Sequence, residues 1–182
     1  MYVHAHVMVR RILSEYTTTP PEDIQFTYGV YGKPSLESGN VRFNLSHSGD
    51  RVAVAVATVE VGIDIECMRN DLDFLEIAKY FFSPKEYAVL AQAEDSMAET
   101  FYRVWTCKEA YMKARGMGFS LPPRGFDACG DQGPGALSSR ECSGWSLSEF
   151  ECGHGYAAAV VTEASTCELQ LYDYGEFVTA MS

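Results

Sequence analysis

Two carboxylates, Asp64 and Glu66, are the residues of this sequence that most clearly suggest a functional site, because a single residue separates them. Side chains two residues apart on a β-strand point to the same face, so both carboxylates project together while Ile63 and Ile65 face the core. Two carboxylates on one face repel each other unless a cation lies between them, and hard oxygen ligands favour Mg²⁺. The spacing alone is consistent with a magnesium site and also with a solvated acidic face at a strand end.

A second pair, Glu109 and Lys113, lies four residues apart in the segment Trp105–Lys113 and therefore shares one face of a predicted helix. One interpretation makes Glu109 a third metal ligand and places Lys113 against a phosphate oxygen. The other interpretation is an ordinary surface ion pair, which contributes only a few tenths of a kcal/mol. Trp105 lies one turn before Glu109, where core packing is its simplest role.

A third group, Asn44–Gly49, follows a predicted strand and contains Ser46 and His47. A hydrolytic Ser–His pair is conceivable, but neighbours on a strand point to opposite faces, and no spacing identifies the aspartate of a triad. The best functional role for both residues is donation of hydrogen bonds to a phosphate. The alternative for His47 is a structural hydrogen bond.

The composition restricts the class of protein. The chain has 182 residues and is 47% hydrophobic, which is enough to bury a sizeable core. Its net charge of −11 disfavours a general nucleic-acid binder. No segment is long and apolar enough to span a bilayer, and residues 1–11 carry charges where a signal peptide needs an apolar run. The six cysteines form no C-x-x-C pair, which suits free thiols, so we expect a cytoplasmic protein.

Hydrophobic periodicity predicts the elements that must position these residues. Ser83, Pro84 and Glu86 form a helix-start signature, and Gly116 is a predicted helix stop. The order of the predicted helices and strands is compatible with two halves, each made of a helix and a sheet, joined near Glu60. Helices are predicted over residues 5–16, 74–82, from 83 onward and over 97–115; strands over 24–28, 41–45, 51–58, 61–65, 145–150, 156–162 and 167–172; and a loop over 125–144.

Five motifs, in this order, resemble those of the 4'-phosphopantetheinyl transferases, in the group that includes the surfactin-synthetase activator. Each motif alone is weak, whereas their shared order and spacing over about residues 10–122 are specific. The motifs are Tyr31-Gly32-Lys33-Pro34, Phe43-Asn44-Leu45-Ser46-His47-Ser48-Gly49, Gly62-Ile63-Asp64-Ile65-Glu66, Phe81-Phe82-Ser83 with Glu86, and Trp105-x-x-Lys108-Glu109-Ala110 with Lys113.

The resemblance implies a reaction and a metal. A serine of an acyl- or peptidyl-carrier protein would attack the β-phosphate of coenzyme A, receive the phosphopantetheine arm and release adenosine 3',5'-bisphosphate. Asp64, Glu66 and Glu109 would hold Mg²⁺ against the pyrophosphate, where the metal neutralises developing charge. Glu109 is also a candidate base for the serine proton, directly or through water. Lys113 and His47 complete the implied catalytic residues.

The resemblance also implies how coenzyme A is held. Ser46, His47 and Lys113 would contact phosphate, and Lys33 and Pro34 match the segment that lies along the adenine. Arg10 matches an arginine of the family's first helix and is counted with the coenzyme-binding residues. Relatives carry several tens of residues, some basic, before this helix, so the first half is expected to be short. The carrier would dock on about residues 68–87, although Met68, Phe74, Leu75 and Phe82 also suit a helix core.

The implied fold class is α+β, with two halves related by an approximate two-fold axis, each a helix packed on a small antiparallel sheet. The halves are expected at residues 1–60 and 61–182, with the coenzyme in the cleft between them. One alternative is a catalytically impaired module that binds a carrier or coenzyme A. A weaker alternative is a metal-dependent phosphohydrolase. Neither nucleic acid nor membrane is an expected partner.

Overall fold

A computed structural model describes residues 2–37, 39–130 and 133–174 of the chain. In this part the helices are α1 (Tyr2–Thr17), α2 (Phe74–Phe81), α3 (Pro84–Ala91) and α4 (Met97–Arg115). The strands are β1 (Phe26–Tyr28), β2 (Pro34–Leu36), β3 (Arg42–Ser48), β4 (Arg51–Ala57), β5 (Val61–Cys67), β6 (Cys129–Gly130), β7 (Gly133–Pro134), β8 (Ser146–Glu149) and β9 (Tyr156–Thr162).

The N-terminal part packs α1 on two antiparallel hairpins, β1–β2 and β3–β4. Val9 and Leu13 lie about one turn apart on α1, which puts them on one face of the helix. They are buried together with Ile24 and Phe43, and residues of β3 and β4 pack around them. Burial of this shared apolar face holds the helix on the strands.

The C-terminal part is a three-stranded antiparallel sheet in the order β5-β9-β8, with α4 packed against it. At Gly62 on β5, a Cβ atom would overlap the backbone of Ala110 and Ala114 on α4. The backbone of α4 therefore lies directly against β5, because glycine leaves room for a close approach. This contact brings the functional residues of the helix next to those of the strand.

The helix ends follow the capping signals of the sequence. The Ser83 hydroxyl accepts a hydrogen bond from the Glu86 amide, and the Glu86 carboxylate accepts one from the Ser83 amide, with Pro84 at the first helical turn. Helix α4 ends at Gly116, which has a left-handed φ of 61°. Both predicted features are confirmed.

The two parts meet where β3 lies beside β5. These strands belong to different sheets. Alternate side chains of β3, Asn44, Ser46 and Ser48, accept hydrogen bonds from alternate backbone amides of β5 at distances of 2.9, 3.4 and 3.0 Å. Beside this row, small alanines of β4 pack against Val61, Ile63 and Val160. Side chains thus satisfy backbone donors that a neighbouring strand would otherwise satisfy.

The observed class is α+β with several small antiparallel sheets, as expected. The approximate two-fold relation and the division at residue 60 stay predictions.

The strand predicted over residues 167–172 is wrong. Its alternating apolar residues Leu169 and Leu171 are 37% and 56% exposed, so the alternation has no apolar surface on which to pack. Within the predicted 125–144 loop, β6 and β7 form a short hairpin. No helix of the described residues has the length and apolarity needed to cross a membrane.

Candidate active site

A cavity of about 360 Å³ opens between β3, β5 and α4. The close packing of α4 on β5 at Gly62 fixes the separation of the residues that these two elements contribute. The cavity brings together six residues that the sequence predicted to act in one site, with Leu45 and Trp105 completing the lining. The six predicted residues are Ser46, His47, Asp64, Glu66, Glu109 and Lys113.

Asp64 is the most enclosed carboxylate of the cavity, with 3% of the residue exposed. Its Oδ1 accepts hydrogen bonds from the Lys113 ammonium at 2.6 Å and from the Ser46 hydroxyl at 2.9 Å. Its Oδ2 is buried and has no hydrogen-bond partner among the described residues. Burial raises the pKa of Asp64, and the charge of Lys113 opposes this shift. A buried carboxylate oxygen without a partner is costly unless another group satisfies it.

Glu66 and Glu109 are only partly buried, and the pKa of each is raised. For Glu66 the largest cause is burial, which a hydrogen bond from Ser48 at 2.8 Å opposes. For Glu109 burial is again the largest cause, and the negative charge of Asp64 is the second. Together they raise its pKa to about 7, although the charge of Lys113 opposes the change. The carboxylates therefore disfavour one another's ionised forms, as like charges in one cavity must.

Lys113 joins the helix to the strands. Its ammonium donates to Asp64 Oδ1 and to Ser46 Oγ at 2.6 and 2.9 Å. Among the described contacts it forms an ion pair with Asp64, not with Glu109 four residues earlier. The predicted alternative of a simple surface pair within the helix is therefore wrong, because the side chain turns towards β5.

Ser46 and His47 occupy opposite sides of β3, as strand geometry predicts. Ser46 is buried and His47 is exposed, although both border the cavity. The Ser46 hydroxyl donates to Asp64 rather than to His47. This geometry does not form a hydrolytic Ser–His pair, and contact of either residue with phosphate stays a prediction.

The carboxylates of the cavity can be tested as ligands for a divalent cation. Their oxygen chemistry suits Mg²⁺, and the unpartnered Oδ2 of Asp64 offers one buried ligand atom. Burial raises the pKa of Glu109 most and the negative charges of Asp64 and Glu66 raise it further, so a bound cation would make the ionised form less costly. Within residues 2–37, 39–130 and 133–174, no three acidic, histidine or cysteine side chains converge into a group that could hold a metal ion as they stand. The oxygen chemistry of these side chains therefore suits Mg²⁺, which proteins commonly hold through one or two carboxylates together with water and substrate phosphates.

Three predicted coenzyme-binding residues lie outside the lining of the cavity. Arg10 donates to the carbonyl oxygens of Pro21 and Ile24 at 2.9 and 2.7 Å and lies over the Phe26 ring, so it holds the chain that follows α1. Lys33 donates to Glu60 and to the Ala114 carbonyl at 2.7 Å each, and so connects the first hairpin to the end of α4. Pro34 begins β2. Their contacts with coenzyme stay predictions.

The expected docking segment is partly core. Phe74 and Phe82 are buried at 8% and 1% exposure, which confirms the core interpretation for these two. Met68 and Leu75 are partly buried against the same cluster. Tyr80, by contrast, is 66% exposed, so the segment also presents an aromatic side chain to solvent.

Sequence reasoning missed two supporting contacts. Ser48 donates to Glu66, and the alternation of Asn44, Ser46 and Ser48 on one strand face was the available signal. Next to Glu109, the buried Lys108 ammonium donates to both oxygens of the buried Glu86 at 2.8 and 2.7 Å. Both residues belong to recognised motifs, but their sequence separation conceals the pair.

Comparison with known proteins gives matches along most of the chain. Residues 60–161 match the family described as the 4'-phosphopantetheinyl transferase superfamily. Residues 1–59 match a second family, described as "4'-phosphopantetheinyl transferase, N-terminal". The chain is 36% identical over 174 residues to 4'-phosphopantetheinyl transferase HetI of Nostoc sp. (strain PCC 7120), a match that covers 92% of this chain and 72% of HetI.

Two further relatives match over a shorter stretch. The chain is 40% identical over 122 residues to 4'-phosphopantetheinyl transferase Sfp of Bacillus subtilis, covering 66% of this chain and 54% of Sfp. It is 37% identical over 121 residues to 4'-phosphopantetheinyl transferase gsp of Aneurinibacillus migulanus, covering 66% and 50%. The chain thus spans about half the length of these two relatives. The matches and the five motifs together show that this chain belongs to the 4'-phosphopantetheinyl transferase superfamily, a family of transferases, and is of the Sfp type.

Proposed function

We propose that this chain transfers the 4'-phosphopantetheine group from coenzyme A to a serine of an acyl- or peptidyl-carrier protein. The observation that carries the proposal is the cavity in which Asp64, Glu66, Glu109 and Lys113 meet, with one oxygen of Asp64 buried and unpartnered. Membership of the family supplies the reaction class.

In this reaction a bond forms between the serine oxygen and the β-phosphorus of coenzyme A, while the bond from that phosphorus to the bridging oxygen breaks. Adenosine 3',5'-bisphosphate leaves, and the serine proton passes to a base. Asp64, Glu66 and Glu109 are the proposed ligands of Mg²⁺, which when bound would neutralise the charge that develops on the 5'-phosphate of the leaving adenosine 3',5'-bisphosphate. The acidic cavity needs such a cation before it can accept a polyanion.

Glu109 is the proposed base for the serine proton, directly or through one water. Its pKa of about 7 lies where a general base both accepts and releases a proton readily. Ligation of Mg²⁺ lowers that basicity, so the two proposed roles of Glu109 predict different pH–rate profiles. A base with its pKa near 7 gives a rate that rises through neutrality, whereas a permanently ionised ligand gives a flat profile there.

Lys113 and His47 are the proposed contacts of phosphate oxygens at the mouth of the cavity. The Lys113 side chain is 29% exposed and lines the cavity while its ammonium holds Asp64. His47 is exposed and also borders the cavity, and Ser46 accepts a hydrogen bond from Lys113. Lys33, Pro34 and Arg10 are proposed for coenzyme binding on the strength of the motif matches alone. The cysteines of the described residues are free thiols, which supports a cytoplasmic setting.

The proposal is tested by incubating the chain with coenzyme A, Mg²⁺ and several apo carrier proteins, followed by mass spectrometry of each carrier. We expect one carrier to gain a single phosphopantetheine group, and chelation of the metal with EDTA to prevent the gain. Unmodified carriers throughout would contradict the transferase proposal and favour a binding module. Free phosphopantetheine without carrier modification would favour a phosphohydrolase.

A further inference from the structure

The interface between β3 and β5 contains a regular row of side-chain hydrogen bonds, the β3 side-chain ladder, formed by Asn44, Ser46 and Ser48. Their side-chain oxygens accept from the backbone amides of Ile63, Ile65 and Cys67, respectively. The three ladder residues are two apart on one strand and the three amides are two apart on the other, so one register repeats along the interface.

The two serines of the ladder perform a second task that the asparagine does not. Ser46 donates its hydroxyl proton to Asp64 Oδ1 at 2.9 Å, and Ser48 donates its own to Glu66 Oε2 at 2.8 Å. A hydroxyl has one proton and two acceptor sites, so each serine can accept from an amide and donate to a carboxylate at the same time. Each serine therefore connects a proposed metal ligand to the amide of the residue that follows it.

The choice of residue along the ladder follows the side chains on β5. Asn44 lies beside Ile63, which has no carboxylate, and its side-chain oxygen accepts from the Ile63 amide. The positions beside Asp64 and Glu66 carry serines. Joining the two parts of the chain needs only an acceptor, as Asn44 shows, so the hydroxyl donors point to a further task at the carboxylates.

We propose that Ser48 is a positioning residue, which holds the Glu66 carboxylate in the orientation needed to bind the divalent cation. The inference rests on the proposed function. Ser46 is unsuitable for isolating this task, because it also accepts from Lys113 and lines the cavity. Ser48 does not belong to the cavity lining, and its contacts are Glu66 and the Cys67 amide. Groups that orient a ligating carboxylate typically change metal affinity about 10-fold to 100-fold when removed.

The experiment measures binding of Mn²⁺ alone to the full chain by electron paramagnetic resonance, with Mg²⁺ as competitor. Ser48→Ala is expected to weaken Mn²⁺ binding about 10-fold or more. Ser48→Thr, which keeps the hydroxyl, is expected to bind as the unmodified chain does. The matched control is Ser146→Ala. It removes a partly buried hydroxyl on β8 that is hydrogen-bonded to Thr162 on the neighbouring strand β9, and it should leave Mn²⁺ binding unchanged.

A kinetic measurement separates positioning from a general structural role. In Ser48→Ala the Mg²⁺ concentration for half-maximal transfer should rise about 10-fold, while kcat at saturating Mg²⁺ stays near that of the unmodified chain. Unchanged metal affinity in a folded Ser48→Ala protein would overturn the inference and leave the proposed function intact. If Ser48→Ala does not fold, Ser48→Cys under reductant has nearly the same shape and a weaker donor, so it should also weaken Mn²⁺ binding, and unchanged binding in this variant would overturn the inference. An unmodified chain that binds no Mn²⁺ and transfers nothing would overturn both proposals.

Discussion

At the scale of single residues, the cavity places carboxylates where their ionised forms are disfavoured. Burial raises the pKa of Asp64, Glu66 and Glu109, and Lys113 opposes the shift at each of them. Interactions of this kind lower the stability of a protein around neutral pH. Such a cluster is typical of a functional site, because nothing in the packing of the core requires it.

Glu109→Gln should stabilise the metal-free protein above pH 7. The folded-state pKa is about 7 against an ordinary value of 4.5, so between these values the folded chain holds a proton that the unfolded chain has lost. Stability therefore falls as pH rises through this window, and glutamine removes that loss. Thermal unfolding with EDTA should show a higher Tm for Glu109→Gln above pH 7 and a difference that vanishes below pH 4.5.

Addition of Mg²⁺ provides the control for this pH measurement. The cation should raise the Tm of the unmodified chain more than that of Glu109→Gln, because it binds the folded state through a carboxylate that the variant lacks. A variant whose Tm follows the unmodified chain at every pH would show that Glu109 does not carry the raised pKa.

At the scale of elements, the site depends on how closely α4 approaches β5. Gly62 permits this approach, since any Cβ atom there would overlap backbone atoms of α4. Asp64 lies two residues along the strand, and Glu109 and Lys113 lie on the helix. A change in the separation of these two elements therefore alters every distance across the cavity.

Gly62→Ala should reduce both stability and activity. The added methyl group forces α4 away from β5, and overpacking of this kind typically costs about 1–3 kcal/mol. Urea unfolding measures the loss, and the transfer assay measures its effect on the cavity. Gly125→Ala is the control, because a Cβ there meets only Pro122 at an ordinary contact distance of 3.9 Å. Equal stability of the two variants would contradict the close approach.

A buried ion pair holds α3 against α4 directly beside Glu109. Glu86 and Lys108 are 0% and 2% exposed. Their remaining hydrogen-bonding capacity is also used: Lys108 donates to the Phe126 carbonyl at 2.7 Å, and Glu86 accepts from the Ser83 and Ala128 amides. The pair thus joins two helices and the 126–128 segment.

Lys108→Met should destabilise the protein by about 3–5 kcal/mol, because it leaves a buried carboxylate without its cation. Urea unfolding at neutral pH measures the change. The double variant Lys108→Met with Glu86→Gln should recover part of the loss, since the isolated charge is then absent. Arg69→Met, which breaks an exposed pair with Asp71, is the control and should have little effect. A small effect of Lys108→Met would contradict the importance of the pair.

Local sequence signals predicted most elements because the interactions that form them are local. The capping residues Ser83 and Gly116 predicted the start of α3 and the end of α4, alternation predicted β1 and β3, and apolar runs predicted β5 and β9. The carboxylates of β5 were expected on one face for the same reason. The pairing of Lys108 with Glu86 and of Ser48 with Glu66 could not be predicted, because these contacts depend on which elements become neighbours. The prediction of a strand over residues 167–172 was wrong because alternation is a local pattern. It does not show whether the fold offers a surface that buries the apolar side chains.

At the scale of the whole molecule, the site exists because two separately packed parts share one interface. The N-terminal part has its own core around Leu13 and Phe43, and the C-terminal part packs around α4. Across the interface, the β3 side-chain ladder and Lys33 connect them. The cavity takes residues from both parts, so neither part alone contains the proposed site.

The central claim is that this shared cavity performs metal-dependent phosphopantetheine transfer. The most direct measurement is the rate at which a carrier protein gains the mass of phosphopantetheine. This rate is compared between the unmodified chain, Glu109→Gln and Glu99→Gln, in which the substituted residue is exposed on the same helix. Coenzyme A and Mg²⁺ are saturating in each case. We predict transfer by the unmodified chain and by Glu99→Gln, and none by a folded Glu109→Gln. Full transfer by Glu109→Gln would contradict the claim.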